Sequence, residues 1–215
     1  STMHGCPSDE IEKIGRYSME EKKIHTTIKL NPTLLGKEQL HNILDKSDFK
    51  TQVPDLACEH DLKYPDAISI IKNLRATAKS NNVYFGLKLT NTLESTNHKS
   101  IFPGSEKMMY MSGRALHPIA VSLANKLQKE FNGELDISFS GGVNAFNIHN
   151  VISCGLQPAT VCTDILKPGG YGLLNQYLVN LEKEFRISES KTIEVSSVAG
   201  GRSKRPRKGL CVRKH

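Results

Sequence analysis

The hydrophobic positions of this 215-residue chain recur with two alternating periods. Apolar side chains spaced three or four residues apart predict helices, and apolar or β-branched runs predict strands. The predicted helices cover residues 8–20, 37–46, 66–79, 116–131, 144–154 and 174–185. The predicted strands cover residues 24–30, 83–89, 135–139 and 159–163. This alternation predicts an α/β fold of βαβ units with a parallel sheet.

Two stretches do not follow the alternation. In the segment 49–60, Pro54 favours an edge strand or a loop. The segment 93–107 is polar and contains glycine and proline, which predicts a loop.

Ligands of parallel α/β folds bind at the carboxyl ends of the strands, so we expect a binding site in the loops that follow the strands.

The net positive charge of the chain lies at its carboxyl-terminal end. Lys and Arg number 29 against 22 Asp and Glu, which gives a formal charge of +7. All of this excess lies beyond Gly200, so residues 1–199 are balanced. We therefore expect a folded unit over residues 1–187 and a basic, disordered tail over 188–215. Nucleic-acid binding through the tail is one hypothesis, but a balanced folded unit argues against it.

The cysteines favour a reducing compartment. The five cysteines are widely spaced and form no C-x-x-C pair, so we expect a cytoplasmic protein without a structural zinc site. The Cys58-Glu59-His60 group has no second cluster at a metal-like spacing, and we expect no metal site. We also expect no membrane span. Because the chain starts at Ser1 without Met, it is interpreted as a fragment of a longer protein.

Two glycine-rich or polar turns follow successive strands late in the chain. Gly141 and Gly142 end one strand, and Cys162 and Thr163 end the next. Adjacent glycines let backbone N–H groups approach a phosphate, and the following helix adds its dipole. The alternative is a plain tight turn. The two turns together fit the phosphate site that recurs in barrel enzymes.

Other polar residues lie at strand ends or helix starts. Lys29 and Lys88 stand between apolar strand residues, so each must either reach the rim or meet an anion. Thr90 and Asn91 can bind the polar edge of a heterocycle or cap a turn.

Two further positions are candidates because of the helices that follow them. Ser112 and Gly113 begin a helical segment and permit close approach of a ligand. Cys6 precedes a helix, where thiolate character is favoured, although a structural thiol is the alternative.

Five short segments of the chain match, in sequence and in order, segments of a known enzyme family. They are Lys29 to Pro32, Thr90 to Thr92, Ser112 to Ile119, Ser140 to Gly142, and Cys162 with Thr163. The set resembles dihydroorotate dehydrogenase-like flavin barrels, including the pyrimidine-reducing domain of dihydropyrimidine dehydrogenase. A closer resemblance is to the barrel segment of the bacterial multidomain oxidoreductases described as selenate reductase iron–sulfur subunits. The segments that carry it are Ser1 to Pro7, Lys29 to Gly36, Gly86 to Thr92, Met109 to Leu116 and Leu166 to Tyr171. The resemblance implies a (β/α)₈ TIM-type barrel, of which the chain contains the later βα units only.

The resemblance also implies a cofactor and its contacts. FMN would be bound with its phosphate on Gly141, Gly142, Cys162 and Thr163. Lys29 would stabilise negative charge on the reduced ring, and Thr90 and Asn91 would touch flavin or substrate. Ser112 and Gly113 would approach the flavin closely, and Cys6 would be the general acid or base.

Two departures from the family pattern bear on these roles. The family phrase Asn-x-Ser-Cys-Pro is Met3-His4-Gly5-Cys6-Pro7 here, so the pyrimidine-binding asparagine is missing. An additional helix fits between Lys29 and Thr90, so Lys88 competes with Lys29 for the flavin. Pyrimidine chemistry is therefore not implied.

The resulting hypothesis is a flavin-dependent oxidoreductase. Hydride would pass between FMN and a small nitrogen-containing substrate within a larger electron-transfer enzyme. The full-length family also implies 4Fe–4S clusters, FAD, and redox partner domains or subunits. The alternative is a non-catalytic barrel that scaffolds cofactor domains or subunits.

Overall fold

The structure is a computed structural model that describes residues 6–47, 49 and 51–198, with side chains up to Ile187. Its helices are α1 (Ser8–Glu20), α2 (Lys37–Lys46), α3 (Asp55–His60), α4 (Tyr64–Ser80), α5 (Leu116–Glu130), α6 (Ile148–Ser153) and α7 (Leu174–Val198). Short 3₁₀ turns cover Pro32–Leu35, Gly113–Ala115, Thr163–Leu166 and Gly170–Leu173.

Three strands form a parallel sheet in the order β1 (Thr26–Leu30), β2 (Phe85–Leu89), β5 (Ile137–Phe139). Beyond β5, Phe139 makes a parallel bridge with Ala159, which begins a fourth line of the sheet. The chain passes from β1 to β2 and from β2 to β5 through helices, as βαβ units require. The described residues form an open sheet with no closed barrel.

One face of the sheet packs on the helices. Ile28, Leu30, Leu87, Leu89 and Phe139 are buried on this face. The apolar sides of α1, α4 and α5 supply the rest of this core, including Met19, Leu74, Ile119, Leu123 and Leu127. Burial of each such side chain contributes about 1.5–3 kcal/mol, so this layer fixes the positions of the strand ends.

The predicted helices at α1, α2, α4 and α5 are confirmed, and so is the parallel sheet. The segment 49–60 was wrongly predicted as an edge strand or loop, since it contains α3. Pro54 precedes the first turn of α3, where a missing N–H costs nothing. A buried hydrogen bond from Thr33 Oγ1 to Asp61 Oδ2 (2.6 Å) fastens the end of α3 to the turn after β1.

The loop predicted over 93–107 is also wrong in part. It contains β3 (Leu93–Thr96), which pairs antiparallel with β4 (Met108–Met111). The predicted strand 159–163 is reduced to the bridge at Ala159, and the helix predicted over 144–154 is shorter, as α6. Helix α7 continues past residue 188 to Val198. The basic residues from Arg202 to Lys214 lie outside the described part of the chain.

Candidate ligand cavity

A cavity of about 320 Å³ opens at the carboxyl ends of the parallel strands. Its lining includes most of the residues that sequence patterns single out, namely Lys29, Thr90, Ser112, Gly113, Gly141, Gly142, Cys162 and Thr163. These residues are far apart in the sequence. They meet in one cavity because the carboxyl ends of neighbouring parallel strands lie at one edge of the sheet.

Among the described residues that the sequence points to, Cys6, Lys88 and Asn91 do not line this cavity. Lys88 lies beside Lys29 in the parallel register of β1 and β2. Cys6 is partly buried just before α1, and its Sγ lies 3.8 Å from the Pro7 carbonyl oxygen. The cavity is thus built from Lys29 within β1 and from the segments that follow β2, β4, β5 and the Ala159 bridge.

Three loops meet through two glycines. Gly113 and Gly142 both have positive φ, at 72° and 59°. A Cβ on Gly142 would lie 2.4 Å from the Gly113 carbonyl oxygen, and a Cβ on Gly113 would lie 3.0 Å from Thr163 Cγ2. Both positions therefore require glycine for conformation and for close approach. The Ser112–Gly113, Gly141–Gly142 and Cys162–Thr163 loops form one continuous wall.

His117 holds the Gly141 turn. Its Nδ1–H donates to the Gly141 carbonyl oxygen at 2.7 Å, and its ring packs edge-on against Phe139. Burial lowers the pKa of His117, while the bond to Gly141 acts in the opposite direction. Its imidazole is therefore neutral at pH 7. No role for His117 was predicted; its spacing from the glycines, 24 residues along the chain, gives no local signal.

Thr90 and Asn91 differ in their partners. Asn91 is buried, and its Nδ2 donates to Asn31 Oδ1 at 2.6 Å. This amide pair ties the segments that follow β1 and β2. Thr90 is 2% exposed, and no described group is hydrogen-bonded to its Oγ1. A buried hydroxyl without a partner costs free energy, so its place in the cavity wall indicates a ligand that would complete it.

Lys29 provides positive charge to the cavity. Burial lowers the pKa of its ammonium group, the neighbouring Lys88 lowers it further, and Cys162 acts in the opposite direction. The two lysines occupy equivalent positions on adjacent strands, so they repel each other.

A second charged group lies where the cavity meets α7. Lys167 Nζ binds Asp164 Oδ1 at 2.7 Å, and the Tyr177 hydroxyl donates to Asp164 Oδ2 at 2.6 Å. These two contacts, the Lys167 bond first, lower the pKa of Asp164. Arg114 lines the same region. Asp164 anchors the Thr163 turn to α7, a role that its position after Cys162-Thr163 could have suggested.

The surroundings of Cys6 oppose the thiolate character that its position before α1 predicts. Partial burial raises the pKa of its thiol, and the carboxylates of Glu10 and Asp9 raise it further. Burial and the acidic first turn of α1 therefore both act against the thiolate form of Cys6.

The described residues contain no group of three or more His, Cys, Asp or Glu side chains that could hold a metal ion. None of the described helices is long and apolar enough to cross a membrane.

Parallel strands, crossover helices and a polar cavity at the carboxyl ends of the strands define a parallel α/β domain, the class to which TIM barrels belong. Comparison with known proteins agrees with this class. Residues 1–208 match the family model described as "Oxidoreductase YgfK, N-terminal TIM-barrel domain". The chain belongs to this family of oxidoreductase domains.

Two curated relatives are from Escherichia coli, strains K12 and O157:H7, and each is named "Putative oxidoreductase YgfK". Each is 46% identical to this chain over 183 residues, which cover 85% of the chain and 18% of the relative. The chain therefore spans less than a fifth of the length of these relatives.

Proposed function

We propose that this chain supplies the FMN-binding part of a flavin-dependent oxidoreductase. The observation that carries the proposal is the convergence on one cavity of two positive-φ glycines and a buried hydroxyl, Thr90 Oγ1, that has no partner among the described residues. Bound FMN would supply hydride transfer, which protein side chains cannot perform themselves. The family is one of oxidoreductases, which agrees with redox chemistry at this cavity.

The phosphate of FMN fits the glycine end of the cavity. Gly141, Gly142, Cys162 and Thr163 would hold it, because glycine lets backbone N–H groups come close to an anion. Arg114 and Lys167 line the same cavity. Asp164 is the carboxylate among the described residues that line the cavity, and it forms an ion pair with Lys167. The charge of Arg114 therefore leaves this end of the cavity with a net positive charge.

The ring of the flavin would lie along the rest of the wall. Ser112 and Gly113 would approach it closely, and Thr90 would donate or accept the hydrogen bond that its hydroxyl lacks. Lys29 is favoured over Lys88 as the direct contact, because Lys29 lines the cavity. Asn91 is engaged with Asn31, which favours a structural role for its amide over ligand contact.

Cys6 is the proposed proton-transfer residue. Because burial and two carboxylates raise the pKa of its thiol, Cys6 would act as a general acid from its protonated form. Its substrate would have to lie between the Cys6 loop and the cavity. Catalytic contacts are often loose before substrate binds, so distance alone does not decide the role.

The proposal extends to the longer protein. We propose a small nitrogen-containing substrate and electron exchange with 4Fe–4S clusters and FAD in partner domains or subunits. The four described cysteines are free thiols, which supports a reducing cytoplasm as the compartment.

The cofactor is tested by Gly142→Val. A side chain there would collide with the Gly113 backbone and displace the turn, so FMN content after reconstitution should fall to about a tenth or less of wild type. Gly104→Val is the matched control, since nothing lies within 4 Å of a Cβ at Gly104. Visible absorbance measures bound flavin, and circular dichroism checks folding. Equal flavin content in the two variants would overturn the phosphate assignment.

The acid is tested by Cys6→Ala. Flavin content should stay at the wild-type level, while substrate-dependent flavin reduction in stopped-flow absorbance should slow by roughly 10²–10⁴-fold. Cys6→Ser should retain part of the activity, with its optimum at higher pH. Full activity of Cys6→Ala would remove Cys6 from the mechanism. A complete protein that binds FMN but is reduced by no substrate would instead favour a scaffold.

A further inference from the structure

The face of the sheet that points away from the helices is polar. Ile28, Leu30, Leu87 and Leu89 are buried against the helices, so strand alternation places their neighbours on the opposite, inner face. The inner-face residues of the three parallel strands are Thr27, Lys29, Gly86, Lys88 and Ser138. A TIM-barrel interior is ordinarily filled by branched apolar side chains. This inner face is therefore built for polar contacts.

Two of these residues bring like charges together. Lys29 pairs with Lys88 in the register of β1 and β2, and Lys88 pairs with Ser138 in that of β2 and β5. Neighbouring strands are about 4.8 Å apart, so two lysine stems start side by side on the same face. Like charges in such a pair are destabilising unless an anion lies near both.

The lysine pair is continuous with the proposed cofactor site. Lys29 lines the cavity. Thr90, two residues after Lys88, also lines it, and the Thr90 hydroxyl has no partner in the described part of the chain. Burial and the neighbouring Lys88, its partner in the register of β1 and β2, both lower the pKa of Lys29. Cys162 acts on the pKa of Lys29 in the opposite direction.

We propose that Lys88 is a positioning residue of the proposed FMN site, which acts through Lys29 and strengthens binding of the electron-rich, reduced form of the cofactor. This inference rests on the proposed function. A cofactor that gains negative charge on reduction would relieve the repulsion between the two lysines, whereas the oxidised form would relieve it less. Lys88 therefore favours the reduced form without touching the ring.

The first test measures the reduction potential of bound FMN in Lys88→Met. Loss of the second cation should weaken binding of the reduced cofactor about tenfold relative to the oxidised cofactor, which equals a potential about 30 mV more negative. FMN content should be unchanged. Lys88→Arg should restore the wild-type potential, and Lys72→Met, which removes an exposed charge on α4, should not move it. An unchanged potential in Lys88→Met would overturn the proposal.

A pH series separates this effect from general damage. The lowered pKa of Lys29 means that the cavity loses this positive charge as pH rises through that value. In Lys88→Met the pKa of Lys29 should rise, so the alkaline fall in affinity for the reduced cofactor should move to higher pH. A structural defect would lower affinity at every pH and leave the midpoint in place, which would contradict the proposal.

A cofactor-free measurement keeps the two proposals distinguishable. Titration of the Lys29 side chain by NMR in the chain without FMN should give a higher pKa in Lys88→Met than in wild type. If wild type binds no FMN, the proposed function fails whatever this titration shows. If wild type binds FMN but the pKa of Lys29 does not move, the function stands and the role of Lys88 fails.

Discussion

At the scale of single residues, adjacent side chains have different roles. Asn91 holds Asn31 with a buried 2.6 Å hydrogen bond, whereas the buried hydroxyl of Thr90 has no described partner. Sequence patterns single out both residues because polar groups at a strand end can bind a ligand. They cannot separate the two roles, because the partner of Asn91 lies 60 residues away in the chain.

This difference predicts opposite effects of two substitutions. Asn91→Ala leaves the Asn31 amide buried without its partner, so the free energy of unfolding should fall by about 1–3 kcal/mol. Thr90→Val removes an unpaired hydroxyl, so stability should be unchanged or higher, while FMN affinity should fall about tenfold, the value of one hydrogen bond.

Urea unfolding of the FMN-free chain and titration with FMN measure these quantities. A large loss of stability in Thr90→Val would show that its hydroxyl has a partner inside the fold. Unchanged FMN affinity in the same variant would remove Thr90 from the ligand site.

At the scale of elements, the long amphipathic helices and the apolar strands of the parallel sheet were predictable, whereas α3 and the β3–β4 hairpin were not. Helices α1, α4 and α5 each have several turns with one apolar face, which gives a clear period. Helix α3 has six residues, too few for a helical period to be read, and its segment is predicted as an edge strand or a loop. The β3–β4 hairpin was missed because a polar loop of eleven residues, 97–107, separates its strands.

That loop is organised by one side chain. Asn97 Nδ2 donates to the carbonyl oxygens of Phe102 and Glu106, both at 2.9 Å, and Asn97 Oδ1 accepts from the N–H of Ile101 at 2.8 Å. The Asn97 side chain thus supplies hydrogen bonds to backbone groups that have no strand partner in the loop. The hairpin therefore depends on Asn97 for the shape of its tip.

Asn97→Ala should loosen the tip without unfolding the sheet. We expect hydrogen exchange of backbone amides in residues 98–106 to become roughly ten- to a hundredfold faster, the equivalent of about 1–3 kcal/mol of lost local stability. Amides of α4 and α5 should keep their protection. Asn42→Ala, at an exposed position of α2, is the control. Equal exchange in the loops of both variants would show that the tip is held by other contacts.

At the scale of the whole molecule, the topology of the sheet brings the site together. Sequence patterns predicted that turns after successive strands would meet, because parallel strands end at one edge. Lys29, Gly113, Gly142 and Thr163 do line one cavity. The contact of Lys29 rather than Lys88 with that cavity, and the support of Gly141 by His117, depend on packing between distant segments and have no local signal.

The central claim is that the glycine end of this cavity binds the phosphate of FMN. Isothermal titration of the chain with FMN and with riboflavin, which lacks the phosphate, tests it most directly. Two charge-assisted hydrogen bonds to the phosphate, at about 1.5–3 kcal/mol each, predict that FMN binds at least about a hundredfold more tightly than riboflavin. Gly142→Val should abolish this difference. Equal affinities of the wild-type chain for FMN and riboflavin would contradict the account.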